Sequence, residues 1–409
     1  MTPGDQPRIA LLYADTGGGH RATAEAVEQA IHQLYAGMYH TEIINAINAL
    51  PYPYDQAEKI YPRAIKQFRT GYELFWKATN NRRTTTASRF FLETAGRDRA
   101  REFLLQHPAD LVVSCHPILN QAIPEALNDV APNTPIVGVV SDPSTVHALF
   151  WSPRISQYTV PSHTAYLRAI ENGVSPEHVT VTGQPVAPTF AARVSAARLQ
   201  RTHAGSSPGK SVVLLMGGGD GMGHLVETVH ALAHSNLPIQ IVAVCGRNED
   251  ARTAIMAMRT NVPTKALGFC KNIPELMGAA DMLVTKAGPG SICEGFVAGL
   301  PMLLYDAVPG QEEGNIDWVT DCGAGHWCPS PMLVLEHVRS WLAQPGAMRA
   351  VSQASLAQAQ PDSALKIATV IINTLKAARR NTAVTAPLHL PGALAIGVAS
   401  GNTTTVINC

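Results

Sequence analysis

At 409 residues the chain exceeds one typical domain and suits two, each able to bury its own core. Hydrophobic residues make up 46% and charged residues 15%, a composition that excludes a disordered chain. A formal net charge of +0 argues against a dedicated nucleic-acid binder, which carries a large basic excess, so no nucleic-acid partner is expected.

Seven cysteines are scattered without a CxxC pair, which suits a reducing compartment and implies neither a disulfide framework nor a metal site. The start, Met1 to Arg8, does not read as a signal peptide. No apolar run approaches the roughly 18 residues a spanning helix needs. The expectation is a cytoplasmic protein whose membrane contact, if any, is peripheral.

Along the chain, short apolar and β-branched runs recur at Arg8–Ala14, Leu111–Cys115, Ile136–Asp142, Gln157–Val160 and Val179–Gly183. Helical spacing fills the gaps, as at Thr23–Leu34. Buried strands alternating with helices predict a parallel sheet covered on both faces. The pattern restarts at Ser211–Met216, Ile239–Gly246, Thr264–Phe269, Met282–Thr285 and Met302–Asp306. The predicted class is therefore α/β, two doubly wound Rossmann-like domains facing across a cleft. The expected boundaries are 1–190 for the first domain, 191–210 for a linker and 211–345 for the second domain. Terminal helices follow over 346–380, and a tail over 381–409 is expected to be disordered.

In such sheets ligands bind beyond the carboxyl ends of the strands. The first strand-to-helix junction is Asp15-Thr16-Gly17-Gly18-Gly19-His20-Arg21. Three consecutive glycines let the backbone approach a ligand closely, and a triple glycine costs more chain entropy than a plain turn requires. His20 falls in the first turn of the next helix, where the positive dipole end keeps an imidazole neutral and basic. A second loop, Gly217-Gly218-Gly219-Asp220-Gly221-Met222-Gly223, follows an apolar strand and precedes a helix. That context suits a phosphate, although the P-loop Gly-Lys-Ser/Thr is missing.

The densest constellation runs from Gly268 to Asn315. Lys286-Ala287-Gly288-Pro289-Gly290-Ser291 ends a strand and opens a helix, supplying further amides for a diphosphate. Glu294 can accept two ribose hydroxyls or close a capping box with Ser291. Gln311, Glu312 and Asn315 place amides and a carboxylate in one loop, suited to sugar hydroxyls or simply to solvent. Asp142, at a strand end, can orient the His20 base or serve as a turn residue.

Between Lys59 and Arg101 eleven basic residues face only Glu73, Glu93 and Asp98, interleaved with Tyr61, Phe68, Tyr72, Phe75, Trp76, Phe90 and Phe91. Cations with amphipathic aromatics suit an anionic bilayer surface. An ordinary helical hairpin with solvated charges reads the same way, and RNA can use the same chemistry.

Asp15–Ala24, Ser114–Pro117, Ser141–His147 with Phe150-Trp151, Gly183–Pro185, Gly217–Gly223, Cys245–Asn248, Gly268–Pro274 and Lys286–Asn315 resemble the monogalactosyldiacylglycerol synthase family. Related to it are the bacterial diacylglycerol glucosyltransferases and, more distantly, the peptidoglycan lipid II synthase. The resemblance implies a GT-B fold, inversion at the anomeric carbon, a UDP-sugar donor, a diacylglycerol acceptor and no essential metal or other cofactor. Carried over by position, it implies that Phe269 and Cys270 border the uracil and Glu294 the ribose. Gly217, Gly218, Gly219, Gly288, Gly290 and Ser291 then hold the diphosphate, with Arg247 and Lys286 also on the donor side. Gln311, Glu312 and Asn315 border the hexose, galactose being favoured over glucose. His20 is the implied base, with Asp142 beside it; Gly17, Gly18, Gly19, Trp76, Arg82 and Arg83 are placed on the acceptor and membrane side. A lipid-independent UDP-sugar epimerase or hydrolase and a non-catalytic UDP-sugar sensor are the competing readings.

Overall fold

The computed structural model describes residues 6–203 and 209–385. The first run of branched apolar residues forms β1 (Arg8–Tyr13), followed by β2 (His40–Asn45), β3 (Leu111–Ser114), β4 (Ile136–Val139), β5 (Gln157–Val160) and β6 (Val179–Val181). These pair in parallel in the order β2-β1-β3-β4-β5-β6. The second sheet holds β7 (Ser211–Met216), β8 (Ile239–Val244), β9 (Thr264–Leu267), β10 (Met282–Lys286), β11 (Met302–Asp306) and β12 (Gly325–Trp327). Its order is β12-β11-β10-β7-β8-β9, again all parallel.

The two orders fix where a ligand can sit. In the first sheet successive connections leave β1 in opposite directions, toward β2 and then toward β3, so the loops after β1 and β3 splay apart and leave a crevice. In the second sheet the same reversal lies between β7 and β10. The loops after β1, β3, β7 and β10 carry the glycine-rich and histidine-containing stretches, and the carboxyl ends of both sheets face each other.

The predicted strands are present. β2 and β12 are the exceptions missing from the sequence reading, and both are edge strands, half-exposed or only three residues long. Neither offers the continuous apolar run that marks a central strand.

The linker expected over 191–210 needs correction. Phe190–His203 is one helix, packed along the helix Ile273–Ala279. Arg193 forks onto Glu275 at 2.8 and 2.8 Å, and Arg201 onto Asp281 at 2.9 and 2.7 Å. The helix therefore belongs to the second domain, and the chain enters that domain near Gly183–Val186. It returns near Ser363, whose hydroxyl donates to the Gln184 carbonyl at 2.5 Å. The last helix, Ser363–Thr385, then packs on the first domain, with Ile367 and Ile371 in one core with Leu11, Val27 and Ile31. The tail expected over 381–409 begins inside this helix, and the rest of it, from 386 onward, lies outside the described residues.

Gly278 is what lets the two helices approach, because a Cβ there would overlap the Val194 carbonyl oxygen and sit 2.8 Å from the Ala197 Cβ. Gly278→Val should therefore destabilise the fold by about 1–3 kcal/mol, the usual cost of overpacking. A thermal midpoint equal to that of the parent protein would contradict this helix pairing.

Candidate active site

Gly17 and Gly18 both adopt positive φ, +88° and +81°, so the chain turns sharply into the helix Gly19–Leu34. That turn drops His20 into the crevice between β1 and β3, where its side chain is buried. Its Nδ1 lies 2.7 Å from the Cys115 carbonyl oxygen at the end of β3. A carbonyl can only accept, so Nδ1 carries the hydrogen and Nε2 keeps its lone pair. Nε2 has no hydrogen-bond partner among the described residues. Burial pushes the imidazole down to about 4, and it is neutral at physiological pH. The His116 ring stands edge-on at 4.5 Å, its Nδ1 accepting from the Ile118 amide and its Nε2 donating to the Thr16 hydroxyl.

A cavity of about 330 Å³ lies between the domains, lined by Thr16, Gly17, Gly19 and His20 on one side. Gly218, Lys286, Gly288, Gly290, Ser291, Glu294, Gln311 and Glu312 line the other. The helix Pro289–Ala298 points its N-terminus into it. Pro289 has no amide hydrogen, no side chain caps the helix, and the Gly290 and Ser291 amides have no partner among the described residues. Free amides at a positive dipole end are an anion site. The capping box between Ser291 and Glu294 does not form, since Gly288 occupies the cap position. The Glu294 carboxyl faces the cavity instead, and burial pushes it up to about 7.

A second cavity of about 460 Å³ opens from the same place and is walled by Ile60, Phe68, Phe75, Trp76, Ile118 and Leu149. Thr16, His20, Tyr61, Asp142 and Gln311 line both, so the imidazole sits at the junction of a polar chamber and an apolar groove.

Several expected roles change. Asp142 lies at the junction, but no hydrogen bond joins it to His20; the Cys115 carbonyl orients the ring, with Ser141 Oγ 3.5 Å away. Burial, then the Glu312 charge, raise the Asp142 carboxyl to about 7. Glu312 has one oxygen on Lys286 and the other on the Val308 amide at 2.9 Å, so it braces the loop as well as lining the cavity. Asn315 is buried behind the loop, donating to the Ala287 carbonyl at 2.9 Å, and does not line the cavity. Phe269 is 64% exposed and, with Cys270, lies outside it; Lys271 and Ile273 line it instead. Gly18, Gly217 and Gly219 support the two glycine loops from behind the lining; a Cβ on Gly219 would meet the Gly17 carbonyl at 3.3 Å. Arg247 is also outside the cavity and bridges Asp15 and Asp220 from opposite domains, at 3.5 and 2.8 Å.

Trp76 is half-buried and not a free surface aromatic. It packs on His147 at 4.5 Å and against Gly310 of the opposite domain, where a Cβ would lie 2.7 Å from the indole. Arg82 and Arg83 are exposed. Arg193, Gln184, His116 and Tyr61 also line the two cavities, although sequence reasoning assigned none of them a role there; His116 and Gln184 lie in segments that resemble the family, Tyr61 in the basic–aromatic stretch, and Arg193 in no motif.

The family model described as monogalactosyldiacylglycerol (MGDG) synthase matches residues 20–186, and that of the glycosyltransferase family 28 C-terminal domain matches residues 212–314. The chain is 32% identical over 375 residues to a probable monogalactosyldiacylglycerol synthase 2 of Oryza sativa subsp. japonica, covering 88% of this chain and 79% of that one. It is 32% identical over 383 residues to the monogalactosyldiacylglycerol synthase of Spinacia oleracea, covering 90% and 72%. The chain belongs to the monogalactosyldiacylglycerol synthase family. Among solved structures it is similar to MurG of Acinetobacter baumannii, with TM-score 0.56, 15% identity and coverage of 90% and 100%. A UDP-GlcNAc 2-epimerase from Neisseria meningitidis is equally similar, at TM-score 0.56 and 12% identity, covering 90% and 100%. These likenesses establish the GT-B fold. They do not separate transferase from epimerase; family membership does.

The raised Glu294 carboxyl has a consequence that can be measured. Its folded value, about 7, exceeds the unfolded value near 4.5, so the folded chain holds the proton more tightly. Its contribution is fully present below about 4.5 and is lost as pH rises toward and through about 7. Glu294→Gln should melt above the parent protein at pH 8, with the gap closing toward pH 4.5, and should bind UDP about 10–100-fold more weakly. A gap independent of pH would contradict the burial, and unchanged UDP affinity would remove Glu294 from the nucleotide site.

Proposed function

We propose that this chain transfers galactose from UDP-galactose to the free hydroxyl of diacylglycerol, with inversion at the anomeric carbon, making monogalactosyldiacylglycerol. Family membership supports the reaction class. The observation that carries the reading is the junction: a neutral imidazole with a free Nε2 stands where a polar chamber meets an apolar groove. The chamber suits a sugar nucleotide, and the groove suits acyl chains and ends at the base.

In this mechanism Nε2 takes the proton as the lipid hydroxyl attacks the anomeric carbon, and UDP departs from the opposite face. The Cys115 carbonyl steadies the imidazolium that forms. Charge growing on the diphosphate meets the Gly290 and Ser291 amides and Lys286, with no metal required. An epimerase or hydrolase has no use for the apolar groove.

Membrane association is part of the proposal. Among the described residues no helix is long and apolar enough to cross a membrane. Ile60, Leu74 and Phe75 are exposed on the helices Ala57–Gln67 and Arg69–Thr79, and Phe68 at the junction between them; Ile60, Phe68 and Phe75 line the groove. Lys59, Arg63 and Lys66 lie on the first of these helices and Arg82 and Arg83 open the helix Arg82–Ala95, with no carboxylate within ion-pair distance among the described residues. The groove thus opens toward an anionic bilayer, at about 1 kcal/mol per basic residue near the surface. Phe68→Ser with Phe75→Ser should reduce sedimentation with vesicles containing anionic lipid, while UDP affinity stays unchanged. Equal sedimentation would place the membrane face elsewhere.

The reaction is tested by incubating the protein with UDP-galactose, with and without diacylglycerol vesicles and in excess EDTA, and measuring UDP and galactolipid. UDP release should require the lipid, persist in EDTA and fall by roughly two to four orders of magnitude in His20→Ala. Release indifferent to lipid would favour a hydrolase, and full turnover in His20→Ala would remove the base.

A further inference from the structure

The helices Ala57–Gln67 and Arg69–Thr79 belong to the first domain in sequence, yet they grip the second along one loop. Arg69 donates to Asp306 at 2.7 and 3.3 Å and to the Ala307 carbonyl at 2.7 Å. Trp76 lies on Gly310, whose φ of +75° and lack of a Cβ admit the indole. Tyr61 and Tyr72 meet edge-on at 5.8 Å, and their hydroxyls converge on one atom, Gln311 Oε1, at 3.1 and 3.0 Å.

We infer that Tyr61 and Tyr72 are positioning residues for Gln311, which they hold from the opposite domain so that its amide nitrogen faces the donor sugar. A carbonyl oxygen has two lone pairs, and two hydroxyl donors fill both. The nitrogen then carries two hydrogens with no other partner among the described residues, in a side chain that lines both cavities. With the amide reversed, the phenols could at best donate one to the other, and at least one hydroxyl hydrogen would lose its acceptor in a half-buried site. Burial raises both phenols above their ordinary value, so they remain donors across the working pH range. Sugar recognition by Gln311 is thereby set by the two helices that wall the acceptor groove, and withdrawing them releases the amide.

The inference rests on the sugar-nucleotide reading of the chamber but not on lipid transfer, so it is read by binding as well as by turnover. Calorimetry compares UDP-galactose with UDP on the full chain, its Tyr61→Phe/Tyr72→Phe variant, Gln311→Ala and the triple variant. The double phenylalanine variant should lose about 3–10-fold in affinity for UDP-galactose, the worth of one hydrogen bond, and keep its affinity for UDP. Gln311→Ala should add under about 2-fold on that background, because one interaction has already been removed. In the lipid assay the discrimination between UDP-galactose and UDP-glucose should shrink in the same variants. Equal losses for UDP and UDP-galactose would show a purely structural pair, and fully additive losses would show that the tyrosines and Gln311 act separately. Either result overturns the inference, as does unchanged UDP-galactose affinity in the double variant.

Discussion

The hydrogen bond from His20 Nδ1 to the Cys115 carbonyl joins the start of one helix to the end of a neighbouring strand, 95 positions away in sequence. It needs β1 and β3 to be adjacent, so that the loops following them share a crevice. It also needs two glycines at positive φ, so that the chain can drop the ring into that crevice. Given those conditions the tautomer is no longer free: one nitrogen is committed to the protein and the other is left as a base. Burial then keeps the ring uncharged at neutral pH. A more exposed imidazole would titrate near 6.5 and be partly protonated at the pH where it must accept a proton.

Around that ring the two domains contribute unlike surfaces. The second domain supplies helix amides and a lysine for an anion, and the first supplies apolar helix faces. Their junction is held closed by contacts that are individually modest: the Arg247 bridge, the fork of Arg69 on Asp306 and the seating of Trp76 on Gly310. The two crossings of the chain between domains lie together, where Ser363 binds Gln184. Rotation about that point is the economical way to open the chamber, because it leaves both sheets intact and breaks only side-chain contacts across the cleft.

The architecture was legible because fully buried parallel strands are continuous apolar runs and the loops after them are rich in glycine. His20 and the Lys286–Ser291 junction were legible for the same reason: unusual residues stood at strand ends, where topology brings ligands. What stayed hidden depends on partners distant in sequence. The basic stretch looked unpaired because only local acids were counted; Arg69 finds Asp306, Arg97 finds Asp129 and Arg99 finds Asp55. Trp76 reads as a membrane aromatic until the loop of the other domain is laid against it. Asn315 reads as a sugar ligand, but its amide closes a backbone gap at Ala287. A polar residue in a loop has the same sequence signal whether it faces a ligand or the chain itself.

The central claim is spatial, and a crystal structure with intact UDP-galactose bound to His20→Ala, overlaid on the parent protein, tests it most directly. The diphosphate should lie on the Gly290 and Ser291 amides, with the anomeric carbon separated from the parent Nε2 position by room for one hydroxyl, open to the apolar groove. A sugar directed away from that position, or a nucleotide seated outside the chamber between the domains, would contradict the account.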